Sequence, residues 1–384
     1  MLNLKEHKQR LLKNKRIDVN RSTSFRLVAT SAILVVLFAT IVCTIGCASQ
    51  INQNGDDGNL GVDNISSSRT YTIGYSDATF EPELIIAKEK GIFDEYGLSV
   101  ELEVLSQSSV EALNSGVVDF AIGSPVTVNA IREGLDASVI DAVHAGGVQV
   151  ISYPENGISS MDDLVGGKIA ICDTSSESYV VARAALAQQG IDVNNIEWID
   201  YSSSGLKDAV RALYEGEVDA LAWENLCGSL LNWVDFQCVF DSASDDNYGG
   251  CAQSFLIAAN DALDDSTEDV SQLCLALEEA TQFIEQNPTE AVQILKDSDY
   301  VSGYSDMIDD WALAAAYPEA LADMITSRRY LTGEGSFELS MRQCWVTLYY
   351  ADDEFCDEIE IEPTSDLFFE SVDSLTDAVS QFCG

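Results

Sequence analysis

The stretch that decides the fold is residues 98–123, LSVELEVLSQSSVEALNSGVVDFAIG. Residues 98–104 alternate apolar and polar side chains, which is the pattern of a half-buried strand. Residues 107–114 then predict a short helix, and residues 116–123 predict a second strand. A strand, a helix and a strand at this spacing indicate a βαβ unit on a parallel sheet.

The same order of elements occurs twice along the chain. One copy starts at Tyr71 and the other at Lys168, and each runs through a Gly/Ser/Thr-rich turn, a helix, a strand and a last strand containing Gly-x-Val-Asp. Two such copies predict an α/β fold with two similar lobes. Apolar periodicity from Asp261 onward predicts a mainly helical C-terminal segment.

Four sequence blocks carry a resemblance to a known family. In chain order they are AKEKGIFDEYGL (87–98), ALNSGVVDF (112–120), MDDLVGGKIA (161–170) and ALYEGEVDA (212–220). They resemble the nitrate/sulfonate/taurine and NMT1/THI5-like solute-binding proteins. The resemblance implies a two-lobed type II periplasmic-binding fold, in which each lobe is a mostly parallel sheet flanked by helices and the chain crosses between the lobes twice. It also implies a protein that captures a small molecule for an ABC importer, with permease and ATPase subunits as partners.

These patterns divide the chain into successive parts. We predict a signal segment at 1–47, a flexible tether at 48–69, the first part of lobe one at 70–150, lobe two at 151–250, and the second part of lobe one at 251–384. The crossings between the lobes are expected near residues 147–153 and 249–254.

In open α/β sheets, ligands lie beyond the carboxyl ends of the strands, where helix N-termini point at them. Four clusters follow such strand ends, so the predicted ligand-binding residues are Ser76, Asp77, Thr79, Phe80, Gly123, Ser124, Pro125, Thr174, Ser175, Ser176, Glu177, Trp223 and Glu224. Ser, Thr and Asp in front of a helix are also ordinary N-caps, so a capping role stays open for these residues.

The predicted ligand is a small organic molecule or an anion of the sulfonate, nitrate or pyrimidine-like class. Trp223 is either a flat apolar wall over the ligand or part of the core of lobe two. Glu177 and Glu224 are either acceptors for an amine or cationic group, or solvated acids. Arg183 and Lys168 are expected to cap or pair locally, which leaves a neutral or zwitterionic ligand equally open.

The first residues have the composition of an export signal. Eight of the 20 Lys and Arg residues lie in residues 1–26, and the uncharged apolar run Leu27–Ile45 follows. The sequence Thr44-Ile45-Gly46-Cys47 resembles a bacterial lipoprotein cleavage box, which implies that Cys47 becomes the first mature residue and carries a lipid. An uncleaved signal anchor is the alternative, because the apolar run is nearly long enough to span a bilayer. Both alternatives place the rest of the chain outside the cytoplasm, attached to the membrane.

Charge excludes one class of partner. From Cys47 onward the chain has 12 basic and 62 acidic residues, so it repels phosphate backbones, and we predict no nucleic-acid binding. The excess of acid keeps the protein soluble and dispersed, in agreement with a monomer.

Cysteine and histidine usage argues against catalysis and metal binding. Eight cysteines follow Cys47, none in a Cys-x-x-Cys pair. The disulfide pairings Cys238–Cys251 and Cys356–Cys383 are expected, with buried free thiols as the alternative for some of these cysteines. His144 is the only histidine after Cys47, so a zinc site, a cofactor site and a catalytic centre are not predicted. The alternative function is that of a membrane-tethered ligand sensor or interaction protein with the same fold.

Overall fold

The computed structural model describes residues 69–76, 81–224, 236–245, 248, 252–265, 267–298, 329–330, 336–359, 361, 363 and 365. All of them belong to one compact unit, residues 65–384. The predicted signal segment, Cys47 and nearly all of the predicted tether lie outside the described residues.

The chain alternates strands and helices over most of its described length. The strands are β1 (Thr70–Tyr75), β2 (Ser99–Val104), β3 (Phe120–Gly123), β4 (Ala137–Ala145), β5 (Val148–Ser152), β6 (Lys168–Ile171), β7 (Glu197–Asp200), β8 (Ala220–Glu224), β9 (Gln237–Asp241), β10 (Ala252–Ala259) and β11 (Arg329–Tyr330). The helices are α1 (Pro82–Glu89), α2 (Ile92–Glu95), α3 (Ser109–Asn114), α4 (Pro125–Arg132), α5 (Glu177–Gln188), α6 (Gly205–Glu215), α7 (Asn260–Asp265), α8 (Thr267–Gln286), α9 (Pro288–Asp297), α10 (Ser336–Ala351) and α11 (Asp353–Glu358).

These strands form two sheets, one for each lobe. The sheet of lobe one has the order β11-β4-β10-β3-β1-β2, and the sheet of lobe two has the order β7-β6-β8-β5-β9. β1 is parallel to β2 and β3, and β6 is parallel to β7 and β8. The two sheets, each flanked by helices, confirm the predicted two-lobed α/β fold.

Apart from the short strand β11, which is antiparallel to β4, the exceptions to parallel pairing come from the crossings between the lobes. β4 ends at Ala145 in lobe one, and β5 begins at Val148 in lobe two, antiparallel to β8 and β9. β9 ends in lobe two, and β10 begins in lobe one, antiparallel to β3 and β4. A strand that enters a sheet at the carboxyl edge must run away from that edge. β5 is therefore antiparallel to its neighbours β8 and β9, and β10 is antiparallel to its neighbours β3 and β4.

Each sheet is covered by helices whose apolar sides form the core. In lobe one, α1, α8 and α9 pack on one face, around Ile73, Ile85 and Leu277. On the other face, Trp345 of α10 is fully buried beside Phe255 of β10. In lobe two, α5 and α6 pack on opposite faces of the sheet. A 16-residue apolar helix, α10, therefore supplies much of the second face of lobe one.

Candidate ligand-binding site

In lobe one, the predicted residues after β1 and β3 reach the same edge of the sheet. Gly74 lies opposite Ala121 in the parallel register, so Ser76 and Gly123 stand side by side two residues later. Ser76 is exposed there. Asp77, Thr79 and Phe80 lie outside the described residues, so of this first cluster the structure places Ser76 alone.

The residues after β3 form the start of α4. The Ser124 Oγ accepts a hydrogen bond from the Val126 N–H at 3.3 Å, and Pro125 occupies the first turn. A Cβ at Gly123 would lie 2.5 Å from Ile257 Cδ1 and 2.8 Å from Thr127 Cβ. Glycine at position 123 therefore lets β10 and α4 approach closely. Ser124 has the N-cap role that the sequence left open, at a helix N-terminus that faces the carboxyl edge.

In lobe two, a similar turn follows β6. Asp173 Oδ1 accepts hydrogen bonds from the Ser175 N–H at 2.7 Å and from the Ser175 hydroxyl at 2.5 Å. Ser176 caps α5, because its Oγ accepts a hydrogen bond from the Tyr179 N–H at 3.3 Å. Thr174 and Ser175 are exposed, and Glu177 is partly buried in the first turn of α5. Each lobe thus places a serine-capped helix at the carboxyl edge of its sheet, after β3 in lobe one and after β6 in lobe two.

Trp223 lies at the carboxyl end of β8, in the same edge as this turn. Its side chain is only 6% exposed and packs in the apolar cluster between the sheet and α6, with Ile151, Leu206 and Leu213. It is therefore part of the lobe-two core, which was the second of the two predicted roles. Glu224 ends β8, and its side chain lies outside the described part of the chain.

The two carboxyl edges meet at a two-residue crossing. Gly146 and Gly147 connect β4 to β5, with φ values of 79° and 150°. The Ser242 hydroxyl, fully buried, accepts hydrogen bonds from the Gly147 and Val148 N–H groups at 3.2 and 3.0 Å. We call residues 146–147 and the facing residues 242–243 the hinge. Because so few residues separate the lobes here, the carboxyl edges of both sheets adjoin each other. Helices α4 and α5, one from each edge, are also in contact.

A buried polar chain at the lobe-one edge was not predicted. Glu83 Oε1 lies 2.9 Å from His144 Nδ1, and His144 Nε2 lies 3.0 Å from Ser254 Oγ. The exposed fractions of Glu83, His144 and Ser254 are 0%, 2% and 7%. The sequence contained a signal for this contact, because Glu83 directly precedes the apolar run Leu84–Ala87 and His144 lies in a mainly apolar strand, and a buried charged group requires a partner.

These three side chains contact each other in the order of a hydrolase catalytic triad, carboxylate to histidine to serine. Their surroundings differ from those of a catalytic site. Ser254 lies within β10, which is paired with β3 and β4 on its two sides, and its side chain is nearly covered. A nucleophile has to reach its substrate, so this geometry does not favour acyl transfer. The chain instead links α1, β4 and β10 just before the hinge.

The carboxylate of Asp141, on β4, has a shifted pKa. Burial raises the pKa of Asp141 from 3.8 to about 6, and a hydrogen bond from the Ala142 N–H at 2.8 Å opposes the rise. The nearby Glu278 carboxylate adds to it. Asp141 is three residues before His144, so a second acidic group stands near the end of the strand that leads into the hinge.

The two basic residues considered in the sequence are engaged away from the cleft. The Arg183 guanidinium donates to the Ala351 carbonyl and to both carboxylate oxygens of Asp353, at 3.1 and 3.2 Å. The Lys168 Nζ lies 3.6 Å from Glu197 Oε2, at the amino end of β6. Lys168 pairs locally, between neighbouring strands. Arg183 pairs instead with the distant C-terminal segment.

The predicted disulfides are not formed in the structure. Cys238 and Cys356 are free thiols, and each donates a hydrogen bond to a backbone carbonyl, that of Phe240 and that of Tyr349 respectively. A thiol that is half-buried against its own backbone does not require a sulfur partner, which is why the even cysteine count misled the prediction. Cys251 and Cys383 lie outside the described residues.

Among the described residues, no helix is both long and apolar enough to cross a bilayer. The same residues contain no cluster of three or more His, Cys, Asp or Glu side chains suited to a metal ion.

Comparison with known proteins identifies the family. The family model described as NMT1/THI5 like matches residues 82–291, which is more than half of the chain. The chain belongs to the NMT1/THI5-like family. This confirms the resemblance seen in the four sequence blocks. Proteins of Brucella abortus (strain 2308) and Brucella suis biovar 1 (strain 1330), named only as binding proteins, are each 27% identical over 212 residues. That match covers 54% of this chain and 65% of theirs.

Solved structures share the fold. The alkanesulfonate-binding protein SsuA of Xanthomonas axonopodis pv. citri, bound to MOPS, is 17% identical with a TM-score of 0.56, over 73% of this chain and 92% of that one. The nitrate-binding protein NrtA of Synechocystis PCC 6803 is 14% identical with a TM-score of 0.55, over 81% and 90%. At this identity the likeness establishes the periplasmic-binding-protein fold.

Proposed function

We propose that the protein is an extracytoplasmic solute-binding protein that captures a small molecule between its two lobes and delivers it to an ABC importer. The observation that carries the proposal is the hinge, because it joins two carboxyl edges of equivalent construction. Each edge presents a serine-capped helix N-terminus, at Ser124 and at Ser176. Ligands of α/β folds lie at such edges, and two-lobed proteins close around a ligand by hinge motion.

Names of related proteins agree with this function. The Brucella relatives are binding proteins, and the structural neighbours bind sulfonates or nitrate. None of these proteins is named as an enzyme. The ligand contacts that we propose are Ser76, Thr174 and Ser175, which are exposed at the two edges, with Trp223 as a rigid wall behind them.

Membrane attachment is part of the proposal. Cys47 follows the apolar run Leu27–Ile45, and we propose that it is the lipid-bearing first residue of the mature protein. Intact mass of the membrane-bound protein tests this directly. A lipoprotein loses residues 1–46 and gains the mass of a lipid, and Cys47→Ser prevents both changes. An uncleaved anchor gives the full-length mass in both proteins.

Ligand capture is tested by native mass spectrometry of the full-length chain in mild detergent, followed by thermal shifts with sulfonates, nitrate, amino acids, pyrimidines and amines. Binding at 100 times Kd raises the stability by about 2.7 kcal/mol, which is a shift of several degrees. Trp223→Phe keeps an aromatic ring in the core and is expected to weaken the shift. The control is Trp198→Phe, since Trp198 lies on β7 and packs against Tyr179.

Import is tested in cells that lack the protein. Uptake of the identified ligand is expected to fall and to return when the gene is restored. If no small molecule changes the melting temperature and no mass co-purifies, the capture function is wrong. A tethered interaction protein then becomes the better account.

A further inference from the structure

Lobe one presents a buried hydrogen-bond acceptor next to the hinge. Glu83 is in the first turn of α1 and is fully buried. Its Oε1 is engaged by His144, but its Oε2 has no hydrogen-bond partner within the described part of the molecule. Burying a carboxylate oxygen without a hydrogen-bond donor destabilises the folded state, because the oxygen loses its hydrogen bonds to water.

Lobe two presents a second buried hydrogen-bond acceptor, on the other side of the hinge. Gln149 is the second residue of β5 and is 6% exposed. Its Nε2 donates to Asp241 Oδ2 at 3.0 Å, which fixes the orientation of the amide, since the reverse orientation would set Oε1 against a carboxylate. Gln149 Oε1 is buried, and the described residues offer it no donor.

The two acceptors flank the same crossing. His144, which holds Glu83, and Gln149 are five residues apart, with Gly146 and Gly147 between them. Five residues of extended chain span at most about 18 Å, so the backbone keeps the two acceptors in the same region of the molecule. Gln149 also stands opposite Trp223 in the antiparallel register of β5 and β8, next to the proposed aromatic wall.

Glu83 Oε2 and Gln149 Oε1 both lack a hydrogen-bond donor within the described residues. The carboxylates of Glu83 and Asp241 add negative charge to their surroundings. An oxyanion offers acceptors only and would be repelled, whereas an ammonium or amidinium group donates two or more hydrogen bonds. Arg183 and Lys168, which could otherwise balance an anion, are engaged with Asp353 and Glu197.

Building on the proposed function, we propose that the ligand carries a protonated nitrogen, and that this group donates hydrogen bonds to Glu83 Oε2 in lobe one and to Gln149 Oε1 in lobe two. Both oxygens are already buried in the structure, so the ligand supplies the donor that each of them lacks. The two oxygens therefore favour a cationic ligand over an empty cleft.

The experiment uses three probes that share a two-carbon chain and differ in charge: ethanolamine, taurine and ethanesulfonate. Thermal shift and calorimetric titration of the full-length chain in mild detergent at pH 7 measure their binding, with putrescine and benzamidine as larger cations and nitrate as a second anion. We expect the cations to bind, taurine to bind more weakly, and the anions not to bind.

Variants assign the effect to the two oxygens. Glu83→Gln retains the size of the side chain and replaces an acceptor with a donor, so cation affinity should fall about ten- to a hundredfold. Glu89→Gln, at the exposed end of the same helix, is the matched control and should bind as the wild type does. Gln149→Met removes the second acceptor from the other lobe and should weaken the same probes independently.

Each outcome decides one question. If Glu83 faces the ligand, Glu83→Gln should melt in the absence of probe at or above the wild-type temperature while losing the cation-induced shift. A lower melting temperature of the free variant, with the shift unchanged, makes Glu83 structural and overturns the inference. Anions that bind while cations do not also overturn it but leave the capture function intact. If none of the probes and no co-purifying molecule binds, the proposed function falls with it.

Discussion

Two of the connections between the lobes are built in opposite ways. At the hinge, the contact is made by backbone: Gly146 and Gly147 pass against Ser242 and Ala243, and the Ser242 hydroxyl holds two N–H groups. At the C-terminus, the contact is made by side chains of α10 and α11, which we call the brace. Leu348 and Trp345 of α10 lie in the core of lobe one, while Ala351 lies in the core of lobe two.

Arg183 completes the brace from the side of lobe two. It lies on α5, is 9% exposed, and reaches the Ala351 carbonyl and the Asp353 carboxylate. The hinge thus joins the lobes with few side chains, whereas the brace ties α5 to a packed helix. If the lobes close by bending at the hinge, as we propose, the helices of the brace have to slide, as in shear motion of packed helices.

The largest expected effect comes from breaking the hinge. Gly146→Ala places a side chain at φ 79°, and its Cβ would lie 2.8 Å from Ala243 Cα and closer still to Ala243 Cβ. Left-handed strain and overpacking together should lower the free energy of unfolding by about 2–4 kcal/mol. Urea unfolding measures this as a lower midpoint.

Gly157→Ala separates the two causes. Gly157 has nearly the same φ, 77°, but a Cβ there meets nothing within 4 Å. It should therefore cost only the strain, about 1–2 kcal/mol. If both variants are equally destabilised, close packing at the hinge does not matter and the described contact with Ala243 is of no consequence.

The next largest effect is a pH dependence of stability that comes from Asp141, on the strand that leads into the hinge. Because burial raises the pKa of Asp141 to about 6, the folded state holds this proton more tightly than the unfolded state, whose pKa is 3.8. The stabilisation from this proton is present below pH 4 and is lost as the pH rises through 6. The charged carboxylate should then cost the folded state about 1–3 kcal/mol at pH 7.

Asp141→Asn should therefore be more stable than the wild type at pH 7 and equal to it at pH 4. Chemical denaturation at several pH values measures the difference. The control is Asp200→Asn, because hydrogen bonds from Ser202 lower the pKa of that exposed carboxyl, so its effect has the opposite sign. A gain for Asp141→Asn that does not change with pH would contradict this account.

Sequence patterns predicted the repeat of β1–β3 and β6–β8 well, because strand alternation and glycine turns are local signals. The serine caps at Ser124 and Ser176 were found for the same reason. The brace was not found, because apolar periodicity in residues 336–351 reveals a helix but not the two cores that it joins. Trp223 was seen as an aromatic at a strand end, but only the packing of α6 shows that its ring is covered.

The buried polar contacts near the hinge could not be predicted from the sequence. Glu83 and His144 are 61 residues apart in sequence, and their contact depends on the pairing of α1 with β4. No local pattern contains that pairing. Cysteine counting failed in a related way, since an even number of thiols outside the cytoplasm carries no information on which of them lie close together.

Breaking the brace should have a moderate effect. Arg183→Met keeps the apolar stem but leaves the Ala351 carbonyl without its donor, so we expect a loss of about 1–2 kcal/mol in urea unfolding. Asp353→Asn is the control, because the Asp353 side chain is 82% exposed and an exposed ion pair is worth less than about 1 kcal/mol. If Asp353→Asn costs as much as Arg183→Met, the carboxylate and not the carbonyl holds the brace.

The smallest effect concerns reactivity and leaves stability unchanged. Cys238 lies on β9 beside the hinge, and Cys356 lies on α11 in the brace. Burial raises the pKa of both thiols, that of Cys238 to about 12, with the Asp241 carboxylate adding to the rise. Only the thiolate reacts, so iodoacetamide at pH 8 should label Cys238 far more slowly than a small thiol, and rapidly once urea unfolds the chain. Peptide masses measured without reductant give the result. Full labelling of the unfolded chain at both positions means that the hinge and the brace each contain a free thiol. An unlabelled Cys238 or Cys356 in urea would mean that this cysteine forms a disulfide after all.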